Sequence, residues 1–236
     1  MASFLKHSIP LNLTIVQPDD ALLSITPDAV PGLIHDGRGG LYDGSEGLLF
    51  VIAAYRRRYL QWQRGKGMVK DWGNDAAILD LIGYQTGQYE YELSDGRKIV
   101  PTAEYLGLML ADGRGLCYDR VIVQMAGATF ENCARPLNSK TQIAININGE
   151  LRVAPLFYRS YRLTTRSQYG SGVFDWISAG GPFLISSNLE SVEYEGVPVD
   201  WRNAGVLENG EHLYLAAREL RKAAMENWEE TAQAEK

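Results

Sequence analysis

Two stretches of the chain set cations beside aromatic rings. In the first, Tyr55, Tyr59 and Trp62 are interleaved with Arg56, Arg57 and Arg58, and Arg64, Lys66, Lys70 and Trp72 follow within a few positions. In the second, Phe157, Tyr158 and Tyr161 alternate with Arg159, Arg162 and Arg166, with Tyr169 just beyond. Arginine and lysine neutralise phosphates, and flat rings stack on unpaired bases at about 1–3 kcal/mol each whatever the base. Both components together are what a single-stranded nucleic acid requires of its binder. Each ring also has a competing use, because aromatic burial is a major source of core stability. Tyr59 beside Arg57 and Tyr161 beside Arg159 are the rings expected to be exposed, since they share strand faces with arginine.

The net charge of −6 argues against such a partner until it is divided. Residues 50–170 hold 16 Lys and Arg against 11 Asp and Glu, leaving 7 basic and 18 acidic residues in the flanks. The middle is therefore basic and the flanks are strongly acidic. A cluster of like charge also suits a plain solvated face. Two clusters, both interleaved with aromatics, favour a polyanion surface, because charge distribution outweighs net charge.

Other chemistries fit less well. His7, His35 and His212 lie far apart, with no second His or Cys at ligand spacing, so a metal site built on them is not expected. Cys117 and Cys133 have no neighbouring His to activate a thiol. Asp36, Asp43 and Glu46 lie in the glycine-rich stretch HDGRGGLYDGSEG and raise the option of a divalent ion and nuclease chemistry. Asp-Gly is equally ordinary turn chemistry, and the spacing is not that of a calcium loop. No phosphate-binding glycine loop or nucleophile elbow is present. The expectation is a protein without catalytic residues, cofactor or metal.

The elements that must position the cations follow from periodicity. Leu48–Trp62 reads as a strand, with Val51, Tyr55, Arg57 and Tyr59 on one face and Phe50, Ile52, Arg56, Arg58, Leu60 and Trp62 on the other. Residues 8–34 are extended and proline-punctuated. Asp75–Ile82 suits a short helix, and Tyr84–Leu93 with Lys98–Val100 a hairpin about Asp95-Gly96. Pro101–Leu110 forms a further element and Asp119–Met125 a strand. Over Ser139–Asn148 the isoleucines alternate like a strand, but Ser139 with Gln142 makes a capping box, which favours helix. Leu156–Thr165 reads as a strand with Phe157, Arg159, Tyr161 and Leu163 on one face; Val173–Ile177 and Val192–Tyr194 are shorter ones. Glu211–Trp228 is an amphipathic helix, with Leu213, Ala217, Leu220 and Ala224 on its apolar stripe.

The resulting fold class is mainly β (α+β): a single OB-like or related curved sheet or barrel, residues 1–204, with a C-terminal helix, residues 205–236, packed on it or offered to a partner. The N-terminus lacks a secretory signal and no apolar run reaches membrane-spanning length. A cytoplasmic location is expected, the host cytoplasm for a viral chain.

The order of these elements resembles a loose group of bacteriophage proteins, commonly encoded near replication genes and presumed to bind single-stranded DNA. The resemblance rests on GLYDGSEG leading into FVIAAYRRRYLQWQRGKG, then a Ser/Lys segment at Asn138–Gln142 and the strand YRSYRLTTRSQYGSGVFDW, and covers roughly residues 40–185. It implies an OB-like or related β fold and single-stranded DNA as partner. Replication or host proteins could dock through the C-terminal helix, and a homo-oligomer is compatible. The end of the chain, ENWEETAQAEK, departs from the strongly acidic, disordered tail of many replicative binders. A second reading makes the chain a phage interaction module that inhibits a host enzyme or defence system.

Overall fold

Leu48–Gln63 is the longest strand, and the sheet is assembled around it. The computed structural model describes residues 10–63, 67–73, 84–85, 90–92, 97–110, 117–142, 144–147, 150–168, 172–184, 192–194, 197–199 and 210–234. Its strands are β1 (Leu11–Ile15), β2 (Ile34–His35), β3 (Leu41–Tyr42), β4 (Leu48–Gln63), β5 (Gly67–Asp71), β6 (Tyr84–Gln85), β7 (Tyr91–Glu92), β8 (Lys98–Leu110), β9 (Asp119–Ala126), β10 (Ala144–Ile147), β11 (Glu150–Val153), β12 (Arg159–Ser167), β13 (Phe174–Phe183), β14 (Val192–Tyr194) and β15 (Val197–Val199). The main sheet runs β13-β12-β4-β8-β9-β1-β2-β3 and curls into a half-barrel. At the far end of the sheet β5 pairs with the end of β4 and β7 with the start of β8, so the outer halves of β4 and β8 form an arm of the sheet. A smaller sheet has the order β11-β10-β14-β15.

The chain is mainly β with one curved-sheet core and a C-terminal helix, as its pattern predicts, although its main path exceeds the strand count of an OB barrel. β8 is buried from Ile99 to Leu110, because both of its faces are covered. On one face, Phe50, Ile52, Ala103, Tyr105, Met109, Val123 and Tyr161 pack beneath the helical segment Phe130–Lys140. On the other, Leu49, Val51, Leu106, Leu108 and Leu110 receive Leu213, Ala217, Leu220 and Ala224 of the C-terminal helix, Gly210–Ala234. This is the apolar stripe predicted from spacing. Each buried leucine contributes on the order of 1.5–3 kcal/mol.

One inserted residue decides which side chains share a face. Ile52 lies opposite Gly107 and Ala54 opposite Leu106, so Ala53 bulges out of the ladder. A bulge shifts the two-residue alternation by one. The faces expected from strict alternation are therefore wrong across Ala53. Phe50 and Ile52 share a face with Tyr55, and Val51 lies with Ala54 on the helix side. Gly107 sits at this crossing, where a Cβ would run into the Val51 carbonyl and the Phe50 ring.

Three further expectations are corrected. The helix favoured over Ser139–Asn148 ends at Lys140, and Ala144–Ile147 is β10, because pairing with β11 and β14 outweighs the local capping signal. Leu156–Tyr158 is a 3₁₀ turn ahead of β12, so Phe157 packs on the helix face while Tyr161 and Leu163 take the opposite one. Residues 8–34, expected to be extended, include one helical turn at Leu22–Ile25. The hairpin pairing is present, with Tyr91 opposite Ile99 and Glu92 opposite Lys98. Asp75–Ile82 and the Asp95-Gly96 turn lie outside the described residues.

Candidate nucleic-acid interface

The bulge at Ala53 sorts the arginine triplet onto two faces. Arg56 and Arg58 follow Ala54 onto the helix face, and Arg57 points the other way between Tyr55 and Tyr59. What each meets differs entirely.

On the helix face the positive charge is already matched. Glu104, directly opposite Arg56 across the ladder, is 4% exposed. Its Oε1 accepts from Arg56 Nε at 2.7 Å, and its Oε2 from an Arg58 guanidinium nitrogen at 2.5 Å and Gln124 Nε2 at 2.9 Å. Arg58 also pairs with Asp71, whose other oxygen accepts the Gly73 N–H at 2.9 Å. Burial raises the Glu104 carboxyl's pKa, but the two guanidinium groups and the Gln124 amide outweigh it and hold the group below its ordinary range. Burial acts the same way on Asp71, and Arg58 with the Gly73 amide overcomes it. Arg56 in turn lies 4.6 Å from the Trp228 ring, tying the end of the C-terminal helix to this network.

On the opposite face the cations rest on rings. The Arg57 guanidinium lies 5.0 Å from the Tyr59 ring and 5.2 Å from the Phe130 ring. Lys70 Nζ sits 3.3 Å over the Trp72 ring. Gln61 is opposite Lys70 in the β4–β5 ladder, and its Oε1 accepts the Trp72 indole N–H at 2.9 Å. Tyr91, opposite Ile99, packs with Trp72 against Tyr59 and Ile99. Neither Arg57 nor Lys70 has a carboxylate partner among the described residues. Each cation–π contact contributes about 0.5–1 kcal/mol at an exposed site, and it leaves the positive charge unneutralised. Lys70 is exposed and Arg57, Trp72 and Tyr91 are half-buried.

Tyr59 and Tyr161, expected to be exposed, are instead 4% and 1% exposed. Tyr59 is the floor beneath Arg57 and Trp72; Tyr161 lies in the barrel core opposite Phe50. Their arginine neighbours follow other paths. Arg159 donates from Nε to the Gly181 carbonyl at 2.7 Å, and Arg162 to the Glu46 carbonyl at 3.0 Å. Arg162 and Arg166 are exposed, but Arg162 lies opposite Leu49, on the helix side of the sheet. The second basic cluster therefore does not join Arg57 and Lys70 on one face. Trp62 belongs to β4 by its backbone; Arg64 and Lys66 lie outside the described residues.

Two of the three carboxylates that raised the ion option, Asp36 and Asp43, staple turns. Asp36 accepts the Arg38 and Gly40 amides at 2.8 and 2.9 Å and the Tyr42 hydroxyl at 3.3 Å. Burial alone would raise its pKa; these donors hold it below the usual range. Asp43 accepts the Ser45 hydroxyl and amide at 2.6 and 2.7 Å. Cys133 is buried, which pushes its thiol up to about 12. No described helix is long and apolar enough to cross a membrane.

Gln61, Tyr91, Glu104 and Asp71 were not among the residues expected to shape this region. One signal for Glu104 was legible: a lone carboxylate inside the otherwise uncharged run Ile99–Leu110.

A curled, mainly β sheet bearing a charged and aromatic arm is the class of protein that the coordinates define. A family model for Pam3 phage gp34-like proteins matches residues 29–179, and the chain belongs to that bacteriophage family. The matched residues run from just before β2 into β13, leaving out β1, and include the whole arm. Searches of curated proteins and of solved structures return no match.

Proposed function

We propose that this phage protein binds single-stranded DNA, stoichiometrically and without catalytic group, cofactor or metal, on the aromatic face of the β4–β5–β8 arm. One observation carries the reading: Arg57 and Lys70 are held on rings, while Arg56 and Arg58, one residue away on the other face, are neutralised by Glu104 and Asp71. A surface evolved only for solubility has no reason to keep its unpaired cations over Tyr59 and Trp72. Phosphates would sit against Arg57 and Lys70, and bases would stack against the exposed parts of Trp72 and Tyr91.

The test is fluorescence anisotropy with labelled oligothymidine and a duplex of equal length, in a salt series. Oligothymidine should bind more tightly than duplex, with log K falling by about 0.7 per phosphate neutralised for each unit of log salt. A folded protein that binds neither at low salt would refute the reading.

A further inference from the structure

The C-terminal helix carries a second cationic surface, on the side of the sheet opposite Arg57 and Lys70, and its chemistry is different. A groove of about 700 Å³ lies between this helix and the segment Val153–Phe157. Its apolar lining is Val153, Pro155, Leu156, Met225 and the buried Phe157, and its charged lining is Arg218, Arg221 and Lys222. Arg221 and Lys222 have no ion-pair partner among the described residues. Beside the groove, β11 pairs with β10 on one side and with no described strand on the other. Its Leu151 and Val153 are 66% and 72% exposed. An unpaired edge with exposed aliphatic side chains is what an extended peptide adds to.

We propose that this edge and groove bind an extended, acidic, aliphatic-rich peptide segment of a partner protein. It would pair with β11, setting alternate apolar side chains against Val153 and Met225 and carboxylates against Arg221 and Lys222. Two other occupants fit less well. A second copy meeting this patch face to face would set Arg218, Arg221 and Lys222 against themselves. A nucleic acid would find the cations but, among the described lining residues, no ring except Phe157, which is only 4% exposed. The proposal does not depend on the DNA reading of the arm.

The test is selection from a randomised peptide library on the full-length protein, in parallel with the charge-reversed R221E/K222E variant and with Val153→Asp. All three positions are on the surface, and circular dichroism melting verifies that each variant is folded. Enriched peptides should alternate acidic with aliphatic residues and bind wild type at least about tenfold more tightly than either variant. Replacing their acids with lysine should move binding to R221E/K222E. The proposal fails if no peptide is enriched, if enriched peptides are not acidic, or if both variants bind them as wild type does. It also fails if oligothymidine displaces the peptides and loses affinity for R221E/K222E, or if the patch mediates self-association that R221E/K222E abolishes.

Discussion

The side-chain amide of Gln17 stands in for a strand beside Phe174. Gln17 Nε2 donates to the Phe174 carbonyl at 2.9 Å, and Gln17 Oε1 accepts the Phe174 N–H at 2.9 Å. This pair bridges the seam between the end of β1 and β13, where the curled sheet lacks a ladder. Thr165 reinforces it by donating to the Gly32 carbonyl at 2.6 Å. Gly32, at φ +93°, adopts a conformation that other residues rarely take, and the Phe174 ring fills the place of its missing Cβ.

Gln17→Ala should therefore destabilise the protein by about 1–3 kcal/mol, because both Phe174 backbone groups lose their partner. Gln17→Glu keeps an acceptor but loses the donor and should not restore stability. Urea unfolding reads both. An unchanged midpoint for Gln17→Ala would mean that the seam is held by other contacts.

Glu104→Gln should cost about 3 kcal/mol at neutral pH, since Arg56 and Arg58 lose their shared counter-charge inside the protein. The acid limb gives a second readout. The Glu104 and Asp71 carboxyls are held below their unfolded values of about 4.3 and 3.9. Their contribution is complete above those values and is lost as pH falls through the lower, folded ones. Wild-type stability should be level near neutrality and fall below about pH 4, and Glu104→Gln should flatten that fall. Parallel acid limbs for the two proteins would show that Glu104 has no such role.

Gly107→Ala tests the bulge. The added methyl would meet the Val51 carbonyl and the Phe50 ring, and relieving that overlap should cost about 1–3 kcal/mol. Thermal melting of the folded variant checks it; a wild-type melting temperature would show that the crossing at Ala53 has room to spare.

Much of this architecture was legible in the sequence where a local pattern sufficed. β9 and the C-terminal helix follow from their periods, and Leu213, Ala217, Leu220 and Ala224 are buried as spacing predicts. The bulge was not legible, because an extra alanine in Ile52-Ala53-Ala54 leaves the apolar pattern unchanged while exchanging the two faces. The burial of Tyr59 depends on Trp72 and Tyr91, which reach it only through the β5 and β7 pairings. The neutralisation of Arg56 depends on Glu104, 48 positions away. Both are long-range pairings that no window of sequence contains. The cation–aromatic chemistry of the arm was therefore visible in composition, but which arginines carry it was decided by register.

The arm's ring-borne cations, and not the arginines of β12, should hold single-stranded DNA. Oligothymidine anisotropy across a salt series should be measured for wild type, for the triple variant R57Q/K70Q/W72A and for R162Q/R166Q. The triple variant should lose at least about tenfold in affinity, with a salt slope shallower by about 0.7 for each of the two cations removed. R162Q/R166Q should stay close to wild type. Full binding by the folded triple variant, or a loss confined to R162Q/R166Q, would contradict it.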